Sequence, residues 1–139
     1  MNFNRAVQSC FRQYATFSGR ASRSEYLYFN LFNLLALCVL LLMTVGFSDL
    51  ALSNESSVWV LGFSIPSSVI GALSMAGVFA LITALPNWTV SVRRLHDTDK
   101  SGWWLLLGLL PYVGGLLVMI LLILPGSQGP NRYGEAHSA

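Results

Sequence analysis

Charge is what this chain has least of. Only 10% of its 139 residues are Asp, Glu, Lys or Arg, against about 25% in a typical soluble domain. With 54% hydrophobic residues, a water-soluble globule of this size could not cover its surface with polar groups. That excludes an ordinary soluble domain and a disordered chain, and makes a bilayer the expected solvent. Cysteine is scarce too. Cys38 lies within an apolar run and Cys10 in a segment expected on the reducing side, so both read as free thiols rather than a disulfide. With only His96 and His137 besides, no spacing matches a zinc site, and neither metal nor cofactor is expected. The basic residues form no stripe, which argues against nucleic acid. No small-x-small cleavage site closes the first apolar run, so it reads as a retained anchor rather than a signal peptide.

What the chain has in quantity is long uncharged runs. Tyr26 to Phe47 and Trp103 to Leu124 are each 22 residues without a charge, long enough to cross the ~30 Å hydrocarbon core. A further span is expected over 68–90, with Pro66 suited to the first turn of its helix. Gly71, Ser74, Ala76 and Gly77 give this span a small-residue face, and Pro86 should kink it. Ahead of these, Phe3, Val7, Cys10, Phe11, Tyr14 and Phe17 recur at helical spacing opposite Asn4, Arg5, Gln8 and Arg12. That pattern predicts an amphipathic helix lying at the headgroups, since no soluble core offers itself as a partner.

The expected fold is therefore all-α and polytopic. An N-terminal interfacial segment (1–25) precedes spans at 26–47, 68–90 and 103–124 and a tail at 125–139. Four of the eight Lys/Arg precede the first span, none lies in the first loop, Arg93, Arg94 and Lys100 lie in the second, and Arg132 in the tail. The positive-inside rule then puts the N-terminus in the cytoplasm and, with three crossings, the tail outside. Pro111 and Gly114-Gly115 interrupt the third run, which could instead be kinked or re-entrant. A hairpin there would return Arg132 to the inside.

Three clusters are too polar for spanning sequence. They are Phe17-Ser18-Gly19-Arg20-Ala21-Ser22-Arg23-Ser24-Glu25-Tyr26, then Arg93-Arg94-Leu95-His96-Asp97 through Ser101-Gly102-Trp103-Trp104, and finally Gly126-Ser127-Gln128-Gly129-Pro130-Asn131-Arg132-Tyr133-Gly134. Together they resemble a small bacterial inner-membrane family, domain of unknown function 805. Its pattern joins F-x-G-R-x-x-R-x-E-Y, R-R-L-H-D-x-x-x-S-G-W-W and G-x-x-G-x-N-x-Y/F-G. The resemblance implies a multi-pass inner-membrane protein and no particular activity.

The residues themselves nominate an interaction cluster of Arg20, Arg23, Glu25, Arg93, Arg94, His96, Asp97 and Asp99, with Asn131, Arg132 and Tyr133 as a contribution from the tail. Glu25 is expected to pair with Arg93 or Arg94 and fix helix register. Such a buried pair needs good geometry and further hydrogen bonds. The cations also suit anionic headgroups with no shaped site at all. His96 beside Asp97 invites a general-base reading, although ordinary loop hydrogen bonds use both equally well. Ser101 or Asp99 is expected to cap the helix that follows. Trp103 and Trp104 suit the interfacial aromatic belt.

No catalytic residue is assigned. The leading reading is a non-enzymatic protein working through lipid or protein contacts. Its expected partners are membrane lipids, including anionic headgroups, and a second copy or another membrane protein. The alternatives are an oligomeric transporter or channel subunit and, more weakly, an enzyme acting on a lipid headgroup.

Overall fold

The computed structural model describes residues 1–51, 57–60 and 62–135. Helix α1 runs over Phe3–Arg12, α2 over Arg23–Ala51 and α3 over Ser67–Asp97. Between the long helices, strands β1 (Ser57–Val60) and β2 (Phe63–Pro66) form an antiparallel hairpin. A 3-10 helix over Gly102–Leu109 and the short helix α4 (Gly114–Ile123) complete the order. Contacts divide the chain into two compact units, residues 1–31 with 84–139 and residues 32–83.

Several expectations shift. Helix α1 stops at Arg12, where the chain turns toward Gly19 at φ +90°. Its apolar face has a protein partner after all. Phe3 meets Tyr28 edge-on with ring centres 6.1 Å apart, and Phe11 meets Phe29 at 5.6 Å. The first turns of α2 supply the surface that composition did not promise. Helix α2 itself begins three residues before the apolar run, because the Ser22 hydroxyl accepts the Glu25 backbone N–H at 3.2 Å. Ser22-Arg23-Ser24-Glu25 has the spacing of a capping box. The hairpin was not expected. Pro66 closes β2 opposite Ser57 rather than opening a helix. Helix α3 runs on through the first half of the central motif, so Arg93, Arg94, His96 and Asp97 stand on its last turns rather than in a loop.

The third apolar run is broken. Its 3-10 half ends at Leu109 and its α-helical half begins at Gly114, with Pro111 and a left-handed Tyr112 (φ +66°) between them. The halves pack so closely that a Cβ on Gly114 would fall 2.0 Å from the Leu107 carbonyl oxygen. Two short elements of 8 and 10 residues folded on one another therefore replace a single straight crossing helix. In contrast, α2 and α3 contain stretches of 22 and 29 residues long and apolar enough to cross a bilayer.

Within residues 32–83, Phe32 packs against Phe79 with ring centres 6.5 Å apart. The leucines at 34, 42, 73 and 81 are more than half exposed. An all-round apolar helix left uncovered by protein is the mark of a membrane span.

Candidate functional site

The polar motifs converge in the unit formed by residues 1–31 and 84–139. At its centre stands Asp97, in the last turn of α3. One carboxylate oxygen, Oδ1, takes Nε of Arg20 at 2.8 Å and its Nη2 at 2.8 Å, while the other, Oδ2, takes Arg94. Asp97 is thus shared by two guanidinium groups, and all three residues are less than a tenth exposed.

Each arginine has spare donors, and the chain meets them with backbone oxygens. Arg20 donates from Nη1 to the carbonyls of Gly129 (2.8 Å) and Gly134 (3.3 Å) and from Nη2 to that of Ser127 (2.8 Å). Arg94 donates to Leu122 (2.9 Å), Leu124 and Ala21 (3.4 Å). Leu122 and Leu124 lie where α4 ends, and the last carbonyls of a helix have no intrahelical partner. Arg94 therefore closes α4 as a cationic cap at the negative end of its dipole.

A second ionic centre lies alongside. Glu25 accepts from Arg93 at 3.3 Å, so of the two expected partners it takes Arg93. The same oxygen accepts from the Ser9 hydroxyl at 2.9 Å, and Arg93 also reaches the Gln13 side chain. A backbone bond from Ala21 N–H to the Arg93 carbonyl, 3.0 Å long, ties the start of α2 to the end of α3. Cys10 is buried against Glu25. Burial first, and the Glu25 carboxylate second, push its thiol up to about 12.

The tail belongs to the same structure. The Ser127 N–H donates to the Asp97 carbonyl at 2.8 Å, and the Asn131 amide donates to the His96 carbonyl at 2.9 Å. Asn131 also accepts the Tyr133 N–H at 2.9 Å, forming the turn that presents Tyr133. Gly126 is required by proximity, since a Cβ there would sit 2.0 Å from Asp97 Oδ2. Gly129 and Gly134 hold φ of +96° and +134°, which favour glycine, and turn their carbonyls to Arg20. The expectation of a tail remote from the central motif is corrected by these bonds. Three outstretched crossings would separate the two, whereas the folded-back third segment returns the tail to Asp97.

His96 and Asp97 do not form a dyad. The carboxylate is committed to the arginines, and the imidazole bonds through Nδ1 to the Gly19 carbonyl at 3.2 Å. The His96 ring stacks on Tyr133 with centres 3.8 Å apart and planes 2° from parallel. Arg132 lies over the Tyr133 ring at 5.0 Å and pairs with exposed Asp99 at 3.2 Å. Ser101 caps the 3-10 helix through the Trp103 N–H at 3.4 Å. Arg23, at the exposed start of α2, takes no part in these bonds. Gln13, Ser9 and Ser127 were not anticipated. Neutral side chains at ordinary spacing carry no signal.

Two helices long and apolar enough to cross a bilayer, and an ionic centre whose motif residues tie the chain's own segments together, are the features of a helical membrane protein. The chain belongs to the family described as "Protein of unknown function (DUF805)", which matches residues 14–135. It is 38% identical over 127 residues to "Inner membrane protein YhaI" of Escherichia coli K12, covering 91% of this chain and 90% of that protein. To "Inner membrane protein YhaH" of the same strain it is 34% identical over 123 residues, covering 88% of each. No solved structure matches.

Proposed function

We propose that this is a multi-pass inner-membrane protein without chemistry of its own, working through lipid contacts at the cytoplasmic face. In this reading α2 and α3 cross the bilayer and the broken third segment enters it and returns. The N-terminus, the central motif and the tail then share the cytoplasmic side, and all eight Lys/Arg obey the positive-inside rule. The bonds from Arg20 to three tail carbonyls support this placement. A fluorescent-protein fusion at the C-terminus is expected to glow and an alkaline phosphatase fusion there to be silent. The opposite pair of results overturns the arrangement.

The observation that carries the functional reading is the division of the cations. Arg20, Arg93 and Arg94 are buried and bonded within the protein, so they form a lock rather than a headgroup surface. Arg5 and Arg12 are exposed, and with Gln8, Ser9 and Gln13 they line a polar groove of about 390 Å³ on α1. Positions 5, 8, 9 and 12 share one helix face. Each exposed cation near an anionic leaflet contributes about 1 kcal/mol. The purified protein is expected to retain phosphatidylglycerol in native mass spectrometry and to lose it in Arg5→Gln/Arg12→Gln. Equal retention by both proteins sinks the reading.

A second reading, an oligomeric transporter or channel subunit, is favoured by the open space beside Gly71 and Gly77, where an added Cβ meets nothing within 4 Å. A partner helix could approach closely there.

A further inference from the structure

Phe17, His96, Trp103 and Tyr133 are motif residues that lie outside the ionic lock. They come from all three polar clusters, and they line one groove of about 650 Å³ together with Trp88 and a wall of leucines from the 3-10 helix. That volume lies within the ~300–1,000 Å³ usual for small-molecule sites. The lining holds no Lys, Arg, Asp or Glu. Its polar groups are few and definite. A carbonyl can only accept, so the Nδ1 of His96 donates its hydrogen to Gly19. In the neutral ring Nε2 then keeps its lone pair, and among the described residues it has no partner. Trp88 and Trp103 are 66% and 77% exposed, so their faces are available to a ligand. At the Tyr133 end stands Arg132, whose half-exposed guanidinium lies over that ring.

We propose that this groove is a binding site for the zwitterionic phospholipid phosphatidylethanolamine, with its ammonium group among the aromatic rings and donating to His96 Nε2, its phosphate toward Arg132 and an acyl chain along the leucine wall. The chemistry matches the lining at each point. A cation is attracted to the faces of Trp and Tyr rings. A bare imidazole nitrogen accepts an N–H and offers nothing to an anionic oxygen. A phosphate bonds most strongly to a cation, which only the end of the groove supplies. An uncharged, aromatic-lined groove therefore selects the zwitterion over the anionic lipids expected at Arg5 and Arg12. The proposal rests on the lipid-contact reading above but uses a different face of the protein.

The test is native mass spectrometry of the full-length protein, delipidated in a neutral detergent and titrated with phosphatidylethanolamine, phosphatidylcholine or phosphatidylglycerol of identical acyl chains. Phosphatidylcholine keeps the cation but cannot donate a hydrogen bond, so ethanolamine is expected to be retained over choline about fivefold. His96→Phe preserves a ring to stack on Tyr133 and removes the acceptor, and should bring that ratio to about one. Trp88→Leu/Trp103→Leu changes two exposed side chains, leaves the fold intact and should lower retention of both zwitterions about fivefold. Ethanolamine retention that none of these variants changes, or that never exceeds choline, overturns the site. Phosphatidylglycerol lost only in Arg5→Gln/Arg12→Gln then leaves the lipid-contact reading standing without it. If no lipid responds to either set of variants, both fall.

Discussion

In residues 32–83 the leucines at 34, 42, 73 and 81 are each more than half exposed, whereas in residues 1–31 and 84–139 three arginines and two acids are less than a tenth exposed. A soluble protein reverses this distribution. Lipid tails are as apolar as leucine, so bringing apolar helices together in a bilayer gains little from the hydrophobic effect. The first region leaves its apolar surface to the lipid. The second is joined by directional bonds, each cation balanced by a carboxylate and further bonded to backbone carbonyls or a side-chain amide. Tolerance to substitution should differ accordingly.

The largest effect is expected from Asp97→Asn, which strips the carboxylate from two buried guanidinium groups at once. Removing one partner of a buried pair costs about 3–5 kcal/mol. Thermal unfolding in detergent should show it as a loss of most of the folded protein, with the tail exposed to protease. Leu81→Ala, in the other region, should change stability by no more than about 0.5 kcal/mol. Equal losses in the two variants would break the contrast.

Glu25→Gln tests the second ionic centre. The amide keeps its hydrogen-bonding oxygen and loses the charge facing Arg93, a change of about 1.5–3 kcal/mol. A variant as stable as the wild type would mean that Gln13 alone suffices for Arg93.

The smallest effect concerns pH. Folded Cys10 keeps its proton to about 12, while an unfolded thiol ionises near 9.0. Above the lower value the unfolded chain binds fewer protons, so stability should fall as pH rises from about 9 to about 12. Cys10→Ala should flatten that part of the wild-type curve. An unchanged slope would show that the thiol is not held as the structure has it.

Much of this was legible in the sequence, for reasons specific to each element. Uncharged length alone places α2 and the body of α3, and charge bookkeeping offers Glu25 either Arg93 or Arg94, between which only the structure chooses. The hairpin over 57–66 escaped because four-residue strands carry too little alternation to register against a helical background. The packing of α1 escaped for a different reason. Its periodicity fits lipid and protein alike, and only the aromatic contacts with Tyr28 and Phe29 decide. The docking of the tail depends on carbonyls, which every residue possesses and no sequence pattern can mark. Gly126 is required by its close approach to Asp97, and Gly129 and Gly134 by their positive φ, but a glycine does not name what lies beside it.

Arg20 sits early in the chain, yet three of its acceptors lie at Ser127, Gly129 and Gly134. During synthesis Nη1 of Arg20 must wait for more than a hundred further residues, and Arg94 must wait for the carbonyls of Leu122 and Leu124. Until then both cations favour water and resist being drawn into the bilayer. The lock therefore closes only with the final segment, and a chain cut short after α4 would lack the Ser127, Gly129 and Gly134 carbonyls that Arg20 uses.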